Sequence, residues 1–205
     1  AVYLSNTAKA DTSTGEIDLN STSQNQVAYY VKGTGASDTG ALYGGSIGKV
    51  KGYGVGVYLD GGVLNATTSK LDYTANGMNG NGLIGVLMKG ATADISAYNQ
   101  EIKVGNSVLG GNSGDFYVIG IYTDGQGTSG TPKAISTAIT TGANGVGLFA
   151  ENSSHIKYTG IMNIGDNTTA GTGIYVGNGG VGATQPSKVE IGDGTTTGAA
   201  KINLN

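Results

Sequence analysis

A six-residue pattern returns six times along this chain, and its spacing constrains the fold more than any other feature. The copies are Val27–Lys32, Val55–Asp60, Ile84–Lys89, Ile119–Asp124, Val146–Glu151 and Thr172–Gly177. In each, Ala or Gly stands second and an aromatic residue or Leu stands fourth. The second residues fall at 28, 56, 85, 120, 147 and 173, giving spacings of 28, 29, 35, 27 and 26. A fixed period of this size marks a repeat architecture, in which each unit buries its apolar face only against its neighbours.

A weaker apolar-polar-apolar series lies between the copies: Ile17–Leu19, Leu71–Tyr73, Ile102–Val104, Ile156–Tyr158, Val189–Ile191 and Ile202–Leu204. Gly followed by Asn or Asp appears nearby at Gly105-Asn106, Gly165-Asp166 and Gly192-Asp193; the last two pairs begin 27 residues apart. Each repeat therefore carries at least two short strands and two turns, which matches one closed coil at about 3.3 Å per strand residue. The expected fold is all-β: a right-handed parallel β-helix (solenoid) of about six to seven coils of roughly 27 residues, with the hand following the crossover rule. One such segment is expected across residues 1–205, with longer inserted loops at about 90–118 and 125–143. No polar cap is visible at either end, so the segment is expected to be a fragment of a longer rod.

Composition agrees with many short strands and turns. The chain has 205 residues, of which 39 are Gly and 2 are Pro, and only 12% are charged. No Gly-X-Y period accompanies the glycine, which removes a collagen fold. Recurrent Val, Ile, Leu and Tyr in alternating runs supply the apolar surface that a disordered chain lacks. All eleven basic residues are Lys and the net charge is −3, an unfavourable balance for nucleic-acid binding. Without Cys there are no disulfides, zinc ribbons or cysteine nucleophiles. No apolar run reaches the ~18 residues of a membrane span, and residues 1–5 do not read as a signal peptide. Four Asn-X-Ser/Thr sequons, at Asn20, Asn65, Asn152 and Asn167, are what a Ser/Thr/Asn-rich chain yields by chance.

Period two assigns faces within the main pattern. The first, third and fifth positions are almost all aliphatic and are expected to stack inward. The outward face then carries the small second residue, the fourth-position residues and the sixth-position charges Lys32, Asp60, Lys89, Asp124 and Glu151. Strands in register lie about 4.8 Å apart, and the mostly alternating sign avoids like-charge columns. The fourth position gives a candidate ligand-binding ladder of exposed aromatics: Tyr30, Tyr58, Tyr122, Phe149 and Tyr175, with Leu87 in the same series. Twelve Tyr against two Phe fits this placement, because Tyr tolerates a half-exposed site. Such a strip stacks on sugar rings or receives a protein partner, or else it covers the strand and nothing more.

Catalytic constellations do not emerge. Glycoside hydrolysis needs two facing carboxylates, for which Asp72 with Asp18 or Asp166 with Asp193 are the candidates by spacing. The lone histidine, His155, follows Asn152-Ser153-Ser154 and is expected in an exposed polar turn without a catalytic partner. Calcium-binding nonapeptides are absent as a series. The Gly-X-Gly strings lie within strands, so a dinucleotide loop is not indicated. No cofactor or metal is expected, and nothing points to oligomerisation.

The segments Gly54–Leu59 (GVGVYL), Gly145–Asn152 (GVGLFAEN) and Gly171–Asn178 (GTGIYVGN), with their Gly-Asn/Asp turns, resemble the passenger regions of type V autotransporter adhesins. The similarity is to the large fusobacterial outer-membrane members and covers about residues 15–205. It implies a rod displayed on the bacterial outer-membrane surface that attaches, without catalysis, to a host-cell or bacterial surface receptor, protein or glycan. It implies no membrane insertion by this segment and supplies no binding residues. Alternatives are a structural spacer of a surface or phage fibre, and a polysaccharide-active enzyme like the pectin lyases.

Overall fold

The computed structural model describes residues 2–5, 8–11, 17–19, 26–35, 38–39, 41–43, 50–52, 54–65, 71–74, 83–107, 118–127, 130–177 and 185–205. Among them the regular structure is all strand, with no helix. The main sheet stacks Val2–Leu4, Val27–Gly35, Gly54–Asp60, Leu83–Lys89, Ile119–Asp124, Val146–Glu151 and Thr172–Val176 in chain order, every neighbouring pair parallel. A short strand, Asp38–Thr39, folds back antiparallel on Val27–Gly35.

Parallel neighbours need a crossover connection, and here the crossovers are themselves made of strands. After Ile119–Asp124 the chain forms Lys133–Ile135, then Ile139–Thr140, and returns to the main sheet at Val146–Glu151. The next circuit runs through His155–Tyr158 and Ile161–Ile164, and the one after through Lys188–Ile191 and Lys201–Leu204. Lys133–Ile135, His155–Tyr158 and Lys188–Ile191 form one parallel sheet. Leu71–Asp72, Ile102–Lys103, Ile139–Thr140, Ile161–Ile164 and Lys201–Leu204 form another. Two further small sheets join Lys9–Asp11, Ala41–Tyr43 and Val63–Leu64, and Ile17–Leu19 with Val50–Gly52. This topology is consistent with a β-solenoid.

The structure departs from the sequence expectations at three points. Residues 125–143 are not an inserted loop, because they carry two strands that pair in register with the next circuit. The interval 90–118 contains the paired strand Ile102–Lys103, and Asp94 bridges to Val63; residues 108–117 lie outside the described residues. Members of the weaker series fall in different sheets. Leu71, Ile102 and Ile202 belong to one sheet, Ile156 and Val189 to another.

The third departure concerns which side chains point inward. Third and fifth positions are buried as expected, from Tyr29 and Val31 through Val57, Leu59, Val86 and Met88 to Leu148 and Ala150. The first position is only half-buried at Val27, Val55 and Ile84, although Ile119 and Val146 are buried. It is the small second residue that faces the core. A Cβ on Gly147 would lie 2.8 Å from Ile164 Cδ1 and 3.0 Å from Met162 Sδ of the opposing sheet. Glycine is required there because that space is already filled. Second and third residues are thus both inward, and strict alternation breaks at the glycine.

One apolar cluster runs through the stack, joining the main sheet to Leu71, Ile102, Ile135, Ile139, Ile156 and Met162. Four tyrosines, Tyr29, Tyr73, Tyr98 and Tyr158, are buried in it rather than half-exposed. Three of their hydroxyls donate to backbone carbonyls: Tyr73 to Gly85 at 3.2 Å, Tyr98 to Glu101 at 3.0 Å and Tyr158 to Thr137 at 2.9 Å. Each of these three buried hydroxyls thereby has an acceptor, so the phenol is not buried unsatisfied.

Candidate functional site

The fourth position sits between two inward-facing residues, so its side chain points outward. Parallel pairing in register then aligns these residues into one column: Tyr3, Tyr30, Tyr58, Leu87, Tyr122, Phe149, Tyr175. All five expected aromatics are in it. Tyr30, Tyr58, Tyr122 and Phe149 are half-buried, and Tyr175 is 48% exposed. Tyr3 was missed as a member, although it lies 27 residues before Tyr30. Its copy of the pattern, Ala1–Ser5, has a small second residue but no first residue and no charge at the sixth, so it escapes a six-residue template.

Ring contacts follow the column. Tyr3 stacks on Tyr30 at 5.2 Å between centroids, and Tyr30 meets Tyr58 edge-on at 4.9 Å and 76°. Tyr122 stacks on Phe149 at 5.1 Å and 9°, and Phe149 on Tyr175 at 4.4 Å and 23°. Each such pair contributes about 0.5–1.5 kcal/mol beyond its buried area. Leu87 separates the two groups of rings.

The hydroxyls are used selectively. Tyr30 donates to Asp60 Oδ2 at 2.6 Å, and Tyr122 donates to Glu151 Oε1. In both cases the acceptor lies two residues beyond the register partner, on the next strand. Burial first, and then the adjacent carboxylate, push both phenols well above the ordinary tyrosine range. The same diagonal from Phe149 arrives at Gly177, which has no side-chain acceptor, and there the column carries no hydroxyl. From Tyr58 it arrives at Lys89, a donor.

A charged column flanks the rings, with Lys32, Asp60, Lys89, Asp124 and Glu151 on consecutive strands. Lys89 Nζ lies 3.2 Å from Asp124 Oδ2, and Asn152 Nδ2 donates to Asp124 Oδ1 at 2.7 Å. The adjacent like charges of Asp124 and Glu151 are therefore each held by a partner, Glu151 by Tyr122.

His155 is not in an exposed turn. It opens the strand His155–Tyr158, is 6% exposed, and places Nε2 at 2.9 Å from Glu190 Oε1. Lys188 Nζ reaches the same carboxylate oxygen at 2.6 Å. Those two hydrogen bonds, Lys188 first, hold the Glu190 carboxyl down at about 2. The strand signal of Ile156–Tyr158 was visible in the sequence; its start one residue earlier was not.

The Asp18 side chain lies outside the described residues, and Asp166 and Asp193 are not brought together. Asp18 has Lys51 as its Cα partner and Asp72 has Lys103. Asp166 and Asp193 follow Ile164 and Ile191, which belong to different sheets, so their 27-residue spacing does not stack them. Each instead holds its own turn. Asp166 Oδ1 accepts from Thr168 N at 2.8 Å and Thr169 N at 2.7 Å; Asp193 Oδ1 accepts from Thr195 N at 2.8 Å and Thr196 N at 2.6 Å. These bonds lower both carboxyls from the usual range.

Among the described residues no group of three or more His, Asp or Glu is placed to hold a metal ion, and no helix is long and apolar enough to cross a membrane. A shallow hollow of about 350 Å³ lies against residues 191–200, lined by Ile191, Thr195, Thr196 and Ala200 among others, with no ionisable side chain in its lining. No family model, curated protein or solved structure matches the chain.

Proposed function

We propose that this chain is a passenger segment of a bacterial autotransporter adhesin, displayed at the outer-membrane surface and attaching to host cells or other bacteria without catalysis. In this proposal it forms a right-handed parallel β-helix of about six to seven coils, the hand that crossover connections favour. The observation that carries the proposal is the outward column from Tyr3 to Tyr175, two groups of outward-facing rings separated by Leu87, beside a charged column. Tyr is among the residue types enriched where binding energy concentrates at the centre of an interface.

Fluorescent beads coated with the chain test it, using epithelial cells and whole bacteria as targets. Saturable adhesion, competed by the soluble chain, is the expected result. Adhesion no greater than that of albumin-coated beads would overturn the proposal for this segment.

A specific observation favours a second reading, a structural spacer of a surface fibre. Half of the ring faces are covered by stacked rings, and two hydroxyls are bound within the chain. Under that reading the column stiffens the sheet, and its replacement lowers stability without changing adhesion.

A further inference from the structure

The proposed adhesive role leaves open where on the outward face a ligand sits, and any site assigned to that face rests on that role. Phe149, with a ring stacked on either side, presents only its edge to solvent, and the most exposed rings, Tyr3 and Tyr175, stand at the ends of the column. Inside the column, Tyr122 keeps a face that meets no other ring. One of its faces is against Phe149, nearly parallel at 9°, and the other is turned toward the Leu87 strand, which brings no ring. On the far side of Leu87 stands Tyr58, whose ring is edge-on to Tyr30.

Tyr58 and Tyr122 are two strand spacings apart, roughly 9.6 Å. Leu87 occupies the inner part of that interval. Its side chain ends at Cδ, where its tyrosine neighbours continue to Cε, Cζ and the hydroxyl, so the column itself leaves the outer part of the interval unfilled. The charged column supplies the rim, with Asp60, Lys89 and Asp124 on the three strands concerned. Lys89 is largely exposed and bonded to Asp124. Burial raises the Tyr58 phenol, Asp60 and Asp124 adding to the shift and Lys89 opposing it, so these charges stand close to its ring. Tyr122 is fixed by its bond to Glu151, which removes part of the ordering cost of binding.

We propose that the interval over Leu87, walled by Tyr58 and Tyr122 and rimmed by Asp60, Lys89 and Asp124, binds one pyranose ring of a neutral glycan. The apolar C–H face of the sugar rests on the open face of Tyr122, whose ring is electron-rich at its centre. Sugar hydroxyls donate to the carboxylates and accept from the Lys89 ammonium. A protein aromatic ring of the same size would desolvate those three charged groups without pairing them, at a cost that the sugar avoids.

Saturation-transfer NMR on the whole chain tests this, with methyl β-glucopyranoside, methyl β-galactopyranoside and methyl α-mannopyranoside as separate probes. The expected result is transfer to the ring C–H protons of at least one glycoside. Leu87→Phe extends the ring column into the interval, and transfer falls at least fivefold while the circular-dichroism spectrum is unchanged. Lys89→Met, a change at an exposed side chain, also weakens transfer while the circular-dichroism spectrum is unchanged. Equal transfer in wild type and both variants, or no transfer from wild type with any of the three, overturns the site. Beads carrying Leu87→Phe that adhere as well as wild type would also overturn the site while leaving the adhesive role standing. Failure of wild-type beads to adhere removes that role itself.

Discussion

The Tyr30 hydroxyl donates to Asp60, thirty residues further along the chain, at 2.6 Å across neighbouring strands. Asp60 is not the register partner of Tyr30, which is Tyr58, but the residue two beyond it. Tyr122 to Glu151 repeats the step in the main sheet, and His155 to Glu190 repeats it in another sheet, where His155 is in register with Lys188. Diagonal neighbours on one face of a sheet are about 7–8 Å apart at the backbone, within reach of aromatic and other long side chains. The repeat thus ties consecutive strands together by outward polar side chains as well as by backbone hydrogen bonds and apolar packing.

Removing one such bond has a defined cost. Tyr122→Phe keeps the ring stacked on Phe149 and leaves Glu151 without its phenol donor, so unfolding free energy falls by about 0.5–1.5 kcal/mol. Tyr58→Phe, whose diagonal partner is Lys89, changes it by less than about 0.5 kcal/mol. Urea denaturation of both variants checks the difference.

Glycine at the second position is predicted to be a packing requirement. Gly147→Ala places a methyl group against Ile164, Met162 and the Gly173 carbonyl, and destabilises by about 1–3 kcal/mol. Gly130→Ala, with nothing within 4 Å of the added methyl, stays within about 0.5 kcal/mol of wild type. Thermal melts of the two variants side by side distinguish them.

High pH exposes the tyrosine contribution. Burial is the largest cause raising the phenols of Tyr30, Tyr73, Tyr98, Tyr122 and Tyr158. In the unfolded chain they ionise near the ordinary value of about 10. Above that pH the unfolded state binds fewer protons than the folded one, so stability falls with rising pH. This contribution is fully present below about pH 10 and is lost as pH climbs toward the raised folded values. Phenolate absorbance is expected to stay well below the twelve-tyrosine total until the β-sheet circular-dichroism signal is lost.

The acid limb has the opposite sign. Glu190 has its carboxyl held at about 2 by Lys188 and His155. Its contribution is present above the unfolded value of about 4.3 and is lost as pH falls toward the folded one. Glu190→Gln therefore flattens the pH dependence of the melting temperature on that limb relative to wild type.

The repeat was legible because all six copies keep a small second residue and five keep an aromatic fourth, and register pairing sets those fourth residues side by side from Tyr30 to Tyr175. Parity was less legible. Alternation predicts the first position inward, whereas the second-position glycine faces the core because Ile164, Met162 and their equivalents already occupy its side of the space. Two-residue strands such as Ile139–Thr140 are too short to show a period of two, so residues 125–143 resembled an insertion. His155 was misplaced because a preceding Asn-Ser-Ser run signals a turn, and the turn ends one residue before the histidine. The notch over Leu87 has no sequence signature beyond a leucine where the other copies have rings.

The most direct measurement is a pair of distances along the column. The chain has no Cys, so nitroxide labels at engineered cysteines report on chosen sites alone. Double electron–electron resonance between positions Tyr3 and Tyr122 spans four strand spacings, roughly 19 Å, and between Tyr3 and Tyr175 six, roughly 29 Å. Label arms cancel in the difference, for which an in-register parallel stack predicts about 10 Å with narrow distributions. Equal distances for the two pairs, or broad distributions for both, would contradict it.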